Sequence, residues 1–181
     1  MNTPLQSTVV VGAGAVGSFF GAMLARAGWR VTLVGRAAHV EAIERDGLQL
    51  QWASGVEPVR IAATTALDAV RDADLVLVCV KSADSDAIAR QIAPLLRGDA
   101  IVASLQNGVD NADAIARHVH QPVLPAVVYV ATEMPAPGVV AHHGRGDLVI
   151  GARDAAAAKD AALAARMQAG GHPFPPPQGA G

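Results

Sequence analysis

Several things are scarce in this sequence, and each shortage narrows what the chain can be. One cysteine, Cys79, occurs in 181 residues, so no disulfide forms within the chain. It sits in the apolar run LVLVCV, where a buried inert thiol is expected rather than a nucleophile or a metal ligand. The 14 Lys and Arg residues form no basic run and are offset by 16 Asp and Glu, which argues against nucleic acid as a partner. No secretory leader pattern and no credible membrane span are present, so the cytoplasm is the expected compartment. Residues 8–25 are apolar enough to span, and Gly17-x-x-x-Gly21 would suit a pair of membrane helices, but glycines interrupt the run and a strand pattern follows at once. The histidines lack a completing set of Asp, Glu or Cys: His118 and His120 fall at a helix end, and His142 and His143 on opposite faces of a strand. No metal site is expected.

What is abundant is apolar. Hydrophobic residues make up 51% of the chain and charged ones 17%, enough for one sizeable core and part of a second. The pattern is organised around residues 8–27, TVVVGAGAVGSFFGAMLARA, where a β-branched strand turns through a glycine-rich loop into an apolar helix. Gly12, Ala13, Gly14, Ala15, Val16 and Gly17 fit G-x-G-x-x-G. Gly12 permits the tight turn, Gly14 lets a pyrophosphate approach the backbone N–H groups at the helix start, and Gly17 lets helix and sheet pack closely. A glycine-rich turn with no ligand would read the same way in isolation.

A second strand, RVTLVGR at 30–36, follows at βαβ spacing and ends in Arg36, nineteen positions after Gly17. NAD-binding versions of this unit place a carboxylate there, yet no acid lies between Gly12 and Glu41. A guanidinium suits a 2′-phosphate and a carboxylate would repel it, so the spacing argues for NADP(H) over NAD. The alternative for Arg36 is a solvated surface charge.

Strand and helix patterns then alternate. A helix is expected at 37–45, a hairpin at 48–52 and 56–61, a helical turn at 66–73 and a buried parallel strand at 75–80. Lys81 ends that strand, and Ser82, Asp84, Ser85 and Asp86 are candidate caps for a helix running to about 96. The strand at 100–105 ends in Gln106, Asn107 and Gly108, before a helix at 110–118. From 123 onward the pattern turns to strands at 123–131, 138–143 and 147–150, joined at 135–138 and by Gly144-Arg145-Gly146, then a helix at 154–168. Lys81 could be a plain surface charge and Asn107 a residue chosen for a left-handed turn. Both, however, end apolar strands on the side where ligands bind in open α/β sheets, as do Gly12 and Arg36. The expected fold is therefore α/β, a Rossmann-type doubly wound, mostly parallel sheet with a few antiparallel strands. Residues 1–169 form the nucleotide-binding domain and residues 170–181 a Pro/Gly-rich tail.

GAGAVG at 12–17, Arg36, VKSAD at 80–84 and LQNGVDN at 105–111 together resemble the N-terminal domain of the 2-dehydropantoate 2-reductase (ketopantoate reductase) family. The resemblance implies NADPH-dependent reduction of ketopantoate to pantoate, on the route to pantothenate and coenzyme A. It also implies that Gly12, Gly14 and Gly17 hold the pyrophosphate and Arg36 the 2′-phosphate. By the same resemblance Lys81 borders the cofactor, Asn107 contacts the nicotinamide side and the substrate, and the backbone of Ala131 touches the cofactor. Family members carry a second, all-helical domain with the Lys that donates the proton and further substrate groups. Where it would begin, this sequence reads AGGHPFPPP, so a truncated or frameshifted, poorly active product is expected, one that self-associates through the surface left bare. Two other functions fit the residues: a noncatalytic NADP-binding module, and a related reductase acting on another 2-keto acid.

Overall fold

The computed structural model describes residues 7–107 and 110–150. Its first unit is β1 (Thr8–Val11), α1 (Ala15–Arg26) and β2 (Val31–Val34), with β1 and β2 parallel and Val11 level with Val34. Helix α2 (Ala37–Asp46) follows, then the antiparallel hairpin of β3 (Leu48–Trp52) and β4 (Gly55–Val59) and a short strand, β5 (Ala62–Thr64). A 3-10 turn at Leu67–Asp72 leads into β6 (Leu75–Val78). After it come α3 (Ser85–Ile92), β7 (Ile101–Ser104), α4 (Asp110–Ala116) and the long antiparallel pair β8 (Val123–Ala136) and β9 (Val139–Ile150).

The strands form one nine-stranded sheet in the order β4-β3-β9-β8-β7-β6-β1-β2-β5. The run from β8 to β5 is parallel throughout, as expected for a doubly wound sheet. Every residue of β1 and β6 is buried, because helices cover both faces at the middle of the sheet. Side chains alternate between two cores. Val10, Leu33, Leu75 and Leu77 pack with Phe19 and Met23 of α1, whereas Val9, Val11, Val76 and Val78 pack with Ile92 of α3 and Ile115 of α4. The period of two along each strand thus sends one residue to each layer.

Three sequence expectations need correction. The second hairpin strand does not run on to 61: β4 ends at Val59 and the chain crosses to the opposite sheet edge, where β5 supplies partners for the outer side of β2. Gly144-Arg145-Gly146 is not a turn between two strands. It lies inside the continuous β9, where Arg145 takes a positive φ of 54° and the register against β8 shifts next to Tyr129 and Ala131, so bulges absorb the extra residues without reversing the chain. Ser82, Asp84 and the other candidates do not cap α3, whose N-terminus has no side-chain cap; the Ser82 and Ser85 hydroxyls are used elsewhere. The helix expected at 154–168 and the tail at 170–181 lie outside the described residues.

Candidate functional site

The site begins with register. Val11 pairs with both Val34 and Val78, and Val78 with Ser104, so the carboxyl ends of β2, β1, β6 and β7 form one row. At about 4.8 Å per strand the row is roughly 14 Å wide. Gly12, Arg36, Lys81 and Asn107 follow these ends within three residues, so the structure brings together the four strand-end positions that the sequence singles out. Ala131 is exposed and lies farther along β8, opposite Gly144, past the segment that pairs with β7.

The glycine turn is locked between its neighbours. The N–H groups of Gly12 and Ala13 donate to the carbonyl of Val34 at 3.1 and 2.9 Å. Gly12 has φ +99°, and a Cβ there would lie 2.8 Å from the backbone nitrogen of Val80, so only glycine fits. A Cβ on Gly17 would collide with the carbonyl oxygen of Gly12 and press on the Cβ of Cys79 at 3.0 Å. Gly14 differs: a Cβ there would meet nothing within 4 Å. Open space therefore faces the start of α1, where Ala15, Val16 and Gly17 begin a 12-residue helix with no side-chain cap and no acid in its first turn. Uncapped N–H groups and the positive helix end fit an anionic group such as a pyrophosphate.

Arg36 sits at the start of α2 in extended conformation, one residue beyond Gly35, whose Cβ position is 2.9 Å from the Cβ of Ala13. Its backbone thus adjoins the glycine turn. The side chain is exposed and bonds to no described residue. Lys81 and Asn107 are likewise exposed, with side chains that bond to no described residue.

The loops that carry Lys81 and Asn107 are joined by a buried chain of hydrogen bonds. Ser104 Oγ donates to Gln106 Oε1 at 3.0 Å; Gln106 Nε2 donates to the Val80 carbonyl and to Ser85 Oγ, both at 2.7 Å. Ser85 Oγ donates to Asn111 Oδ1 at 3.2 Å, and Asn111 Nδ2 donates to Ser82 Oγ at 3.1 Å and to the Asn107 carbonyl at 2.8 Å. Sequence reasoning missed Ser82, Ser85, Gln106 and Asn111 as site residues. The available signal was an amide directly after an apolar strand. A second missed residue is His39, buried at 4% exposure. Its Nδ1 accepts from the Gly138 N–H at 2.8 Å, which places the ring proton on Nε2, 3.0 Å from Ser18 Oγ. Burial lowers its pKa below the ordinary histidine value.

The remaining candidates have local roles. Burial pushes the Cys79 thiol up to about 12, so it is not a thiolate at neutral pH. His118 pairs with Asp86 at 2.6 Å and His143 with Glu133 at 2.9 Å, while His142 stacks on Phe19. Among the described residues no three of His, Cys, Asp and Glu gather where they could hold a metal ion. No helix among them is long and apolar enough to cross a membrane.

A family model described as ketopantoate reductase PanE/ApbA matches residues 8–155. The 2-dehydropantoate 2-reductase of Halobacterium salinarum is 40% identical over 169 residues, covering 90% of this chain and 55% of that protein. A crystal structure of a PanE/ApbA family ketopantoate reductase from Ralstonia eutropha JMP134 matches with a TM-score of 0.84 and 49% identity, over 92% of this chain and 54% of the other. D-mandelate dehydrogenase in complex with NADH matches with a TM-score of 0.75 and 27% identity, over 92% and 53%. The chain spans about half the length of the curated relatives it matches.

Proposed function

Since the chain belongs to the ketopantoate reductase PanE/ApbA family, we propose that its row of strand ends binds NADPH for the reduction of 2-dehydropantoate to pantoate, a step toward pantothenate and coenzyme A. Bound NADPH supplies the hydride. Gly12, Ala13, Gly14, Ala15, Val16 and Gly17 present backbone N–H groups to the pyrophosphate, and Arg36 takes the 2′-phosphate. Lys81 and Asn107 line the nicotinamide end, where Asn107 also meets the 2-keto acid, and Ala131 contributes backbone beyond them. The observation that carries this reading is the pairing of an open Gly14 with an unpaired guanidinium two residues past β2.

Reduction of a keto acid also needs a proton for the developing alkoxide. Lys81 is the lone lysine among the described residues, and the resemblance puts the proton donor in a helical second domain. General acid catalysis is worth about 10² to 10⁴ in rate, so these 181 residues alone are expected to bind NADPH well and turn over slowly. A fluorescence titration tests the cofactor assignment. NADPH should bind more tightly than NADH, and Arg36→Ala should abolish most of the difference; equal affinity in the wild type overturns the assignment. The likeness to D-mandelate dehydrogenase with NADH favours, as a second reading, a reductase of another 2-keto acid. A panel of 2-keto acids assayed with NADPH and with NADH separates the two. Intact NADPH binding with no oxidation by any of them would point to a noncatalytic module.

A further inference from the structure

Lys81 and Asn107 stand on different loops, yet the residues on both sides of Lys81, Val80 through its carbonyl and Ser82 through its hydroxyl, and the backbone of Asn107 are held by the same two amides. Gln106 grips the Val80 carbonyl before Lys81, and Asn111 grips Ser82 Oγ after it. Asn111 also holds the carbonyl of Asn107, and Gln106 is its chain neighbour. The two amides meet through Ser85 Oγ, which accepts from one and donates to the other. All four N–H bonds of the two amide groups are used, both amide oxygens accept, and Ser85, Ser104, Gln106 and Asn111 are each less than 8% exposed. The links among Ser104, Gln106, Ser85 and Asn111 are buried and fully satisfied, so neither loop shifts without straining or breaking a bond to one of these amides. None of these side-chain donors serves the strand ladders. They converge on the loops that present Lys81 and Asn107, whose own side chains are free of described partners.

We propose that Gln106 and Asn111 are positioning residues, coupled through Ser85, that set the spacing of Lys81 and Asn107 at the nicotinamide end of the cleft. This assignment rests on the cofactor reading above. It separates the two ends of the ligand: the adenosine half lies on the glycine turn and Arg36, outside the network, and the nicotinamide half lies against the loops inside it.

Two probes distinguish these ends in the full chain, NADPH and adenosine 2′,5′-bisphosphate, which lacks the nicotinamide half. Gln106→Met keeps the length of the side chain and removes its bonds; Ser85→Ala, a milder change, breaks the link between the amides and serves if Gln106→Met does not fold. Each variant is expected to weaken NADPH binding by about tenfold and to leave the bisphosphate bound as in the wild type. Combining Lys81→Ala with either change should lose little more than the larger single loss, because the network acts through Lys81 and Asn107. Equal weakening of both probes would reduce the network to general structural support and overturn the proposal, as would no weakening of NADPH or strictly additive losses. A wild type that binds neither probe removes the cofactor reading itself, and the proposal with it. That outcome differs from any confined to the variants.

Discussion

Gly12 and Gly14 stand two residues apart and answer to opposite constraints. Gly12 has a positive φ and the backbone of Cys79 and Val80, just past β6, packed against it, so Gly12→Ala costs at least about 1 kcal/mol in backbone strain, before the collision with Val80 is added. Gly14 has an extended backbone with φ −80° and empty space where a methyl group would go. Gly14→Ala is therefore expected to change stability by less than about 1 kcal/mol. It should nevertheless weaken NADPH binding sharply, since the methyl fills the space through which the pyrophosphate approaches. Thermal unfolding and NADPH titration of the two variants should show loss of stability in one and loss of binding alone in the other. A Gly14→Ala protein that binds normally would place the phosphates elsewhere. Both glycines were legible in the sequence as a motif, but the motif alone does not say which is steric and which is functional. That distinction comes from the position of Val80, almost seventy residues away.

At the scale of elements, His39 ties three of them together: α1 through Ser18, its own helix α2, and the turn between β8 and β9 through Gly138. The last contact is close, since a Cβ on Gly138 would fall 2.8 Å from the Cβ of Ala42. The ring is neutral in the fold, with Nδ1 accepting a bond that the imidazolium cannot accept. Its folded pKa lies below the unfolded value of about 6.5, so the unfolded chain binds more protons as pH falls through that value. Stability should then be undiminished above about pH 6.5 and decline progressively below it. Denaturant midpoints measured between pH 7.5 and 5 check this, with His39→Gln as the control whose pH dependence should be shallower. His39→Ala leaves the Gly138 N–H and the Ser18 hydroxyl without their partner and should cost about 1–3 kcal/mol. Elements bounded by local signals, such as α2 and the β3–β4 hairpin, are legible in the sequence. The continuity of β9 is not, because Gly144-Arg145-Gly146 carries turn chemistry that pairing with β8 overrides.

Among the described residues the sheet is wholly buried at β1 and β6 and more exposed along β8. Val127 and Tyr129, two residues apart on β8, are 41% and 43% exposed on one face of the strand. Apolar surface of this kind favours association. Sedimentation velocity over a range of concentrations should show self-association, and Val127→Ser with Tyr129→Ser should reduce it; an ideal monomer at all concentrations would contradict this.

The sequence by itself determined the alternation of strand and helix, the glycine turn and the polar residues that end each apolar strand. These are encoded in periodicity and punctuation within a few residues. It also determined the charge after β2, because Arg36 is read by its distance from the turn. Only the tertiary structure decided that β5 completes the outer edge of β2, that β3 pairs with β9 in parallel across ninety residues, and that Gln106, Ser85 and Asn111 bind two loops into one rim. Those outcomes depend on which backbone and amide groups are left unsatisfied once the strands have stacked, and no local pattern records what a distant segment will leave unpaired.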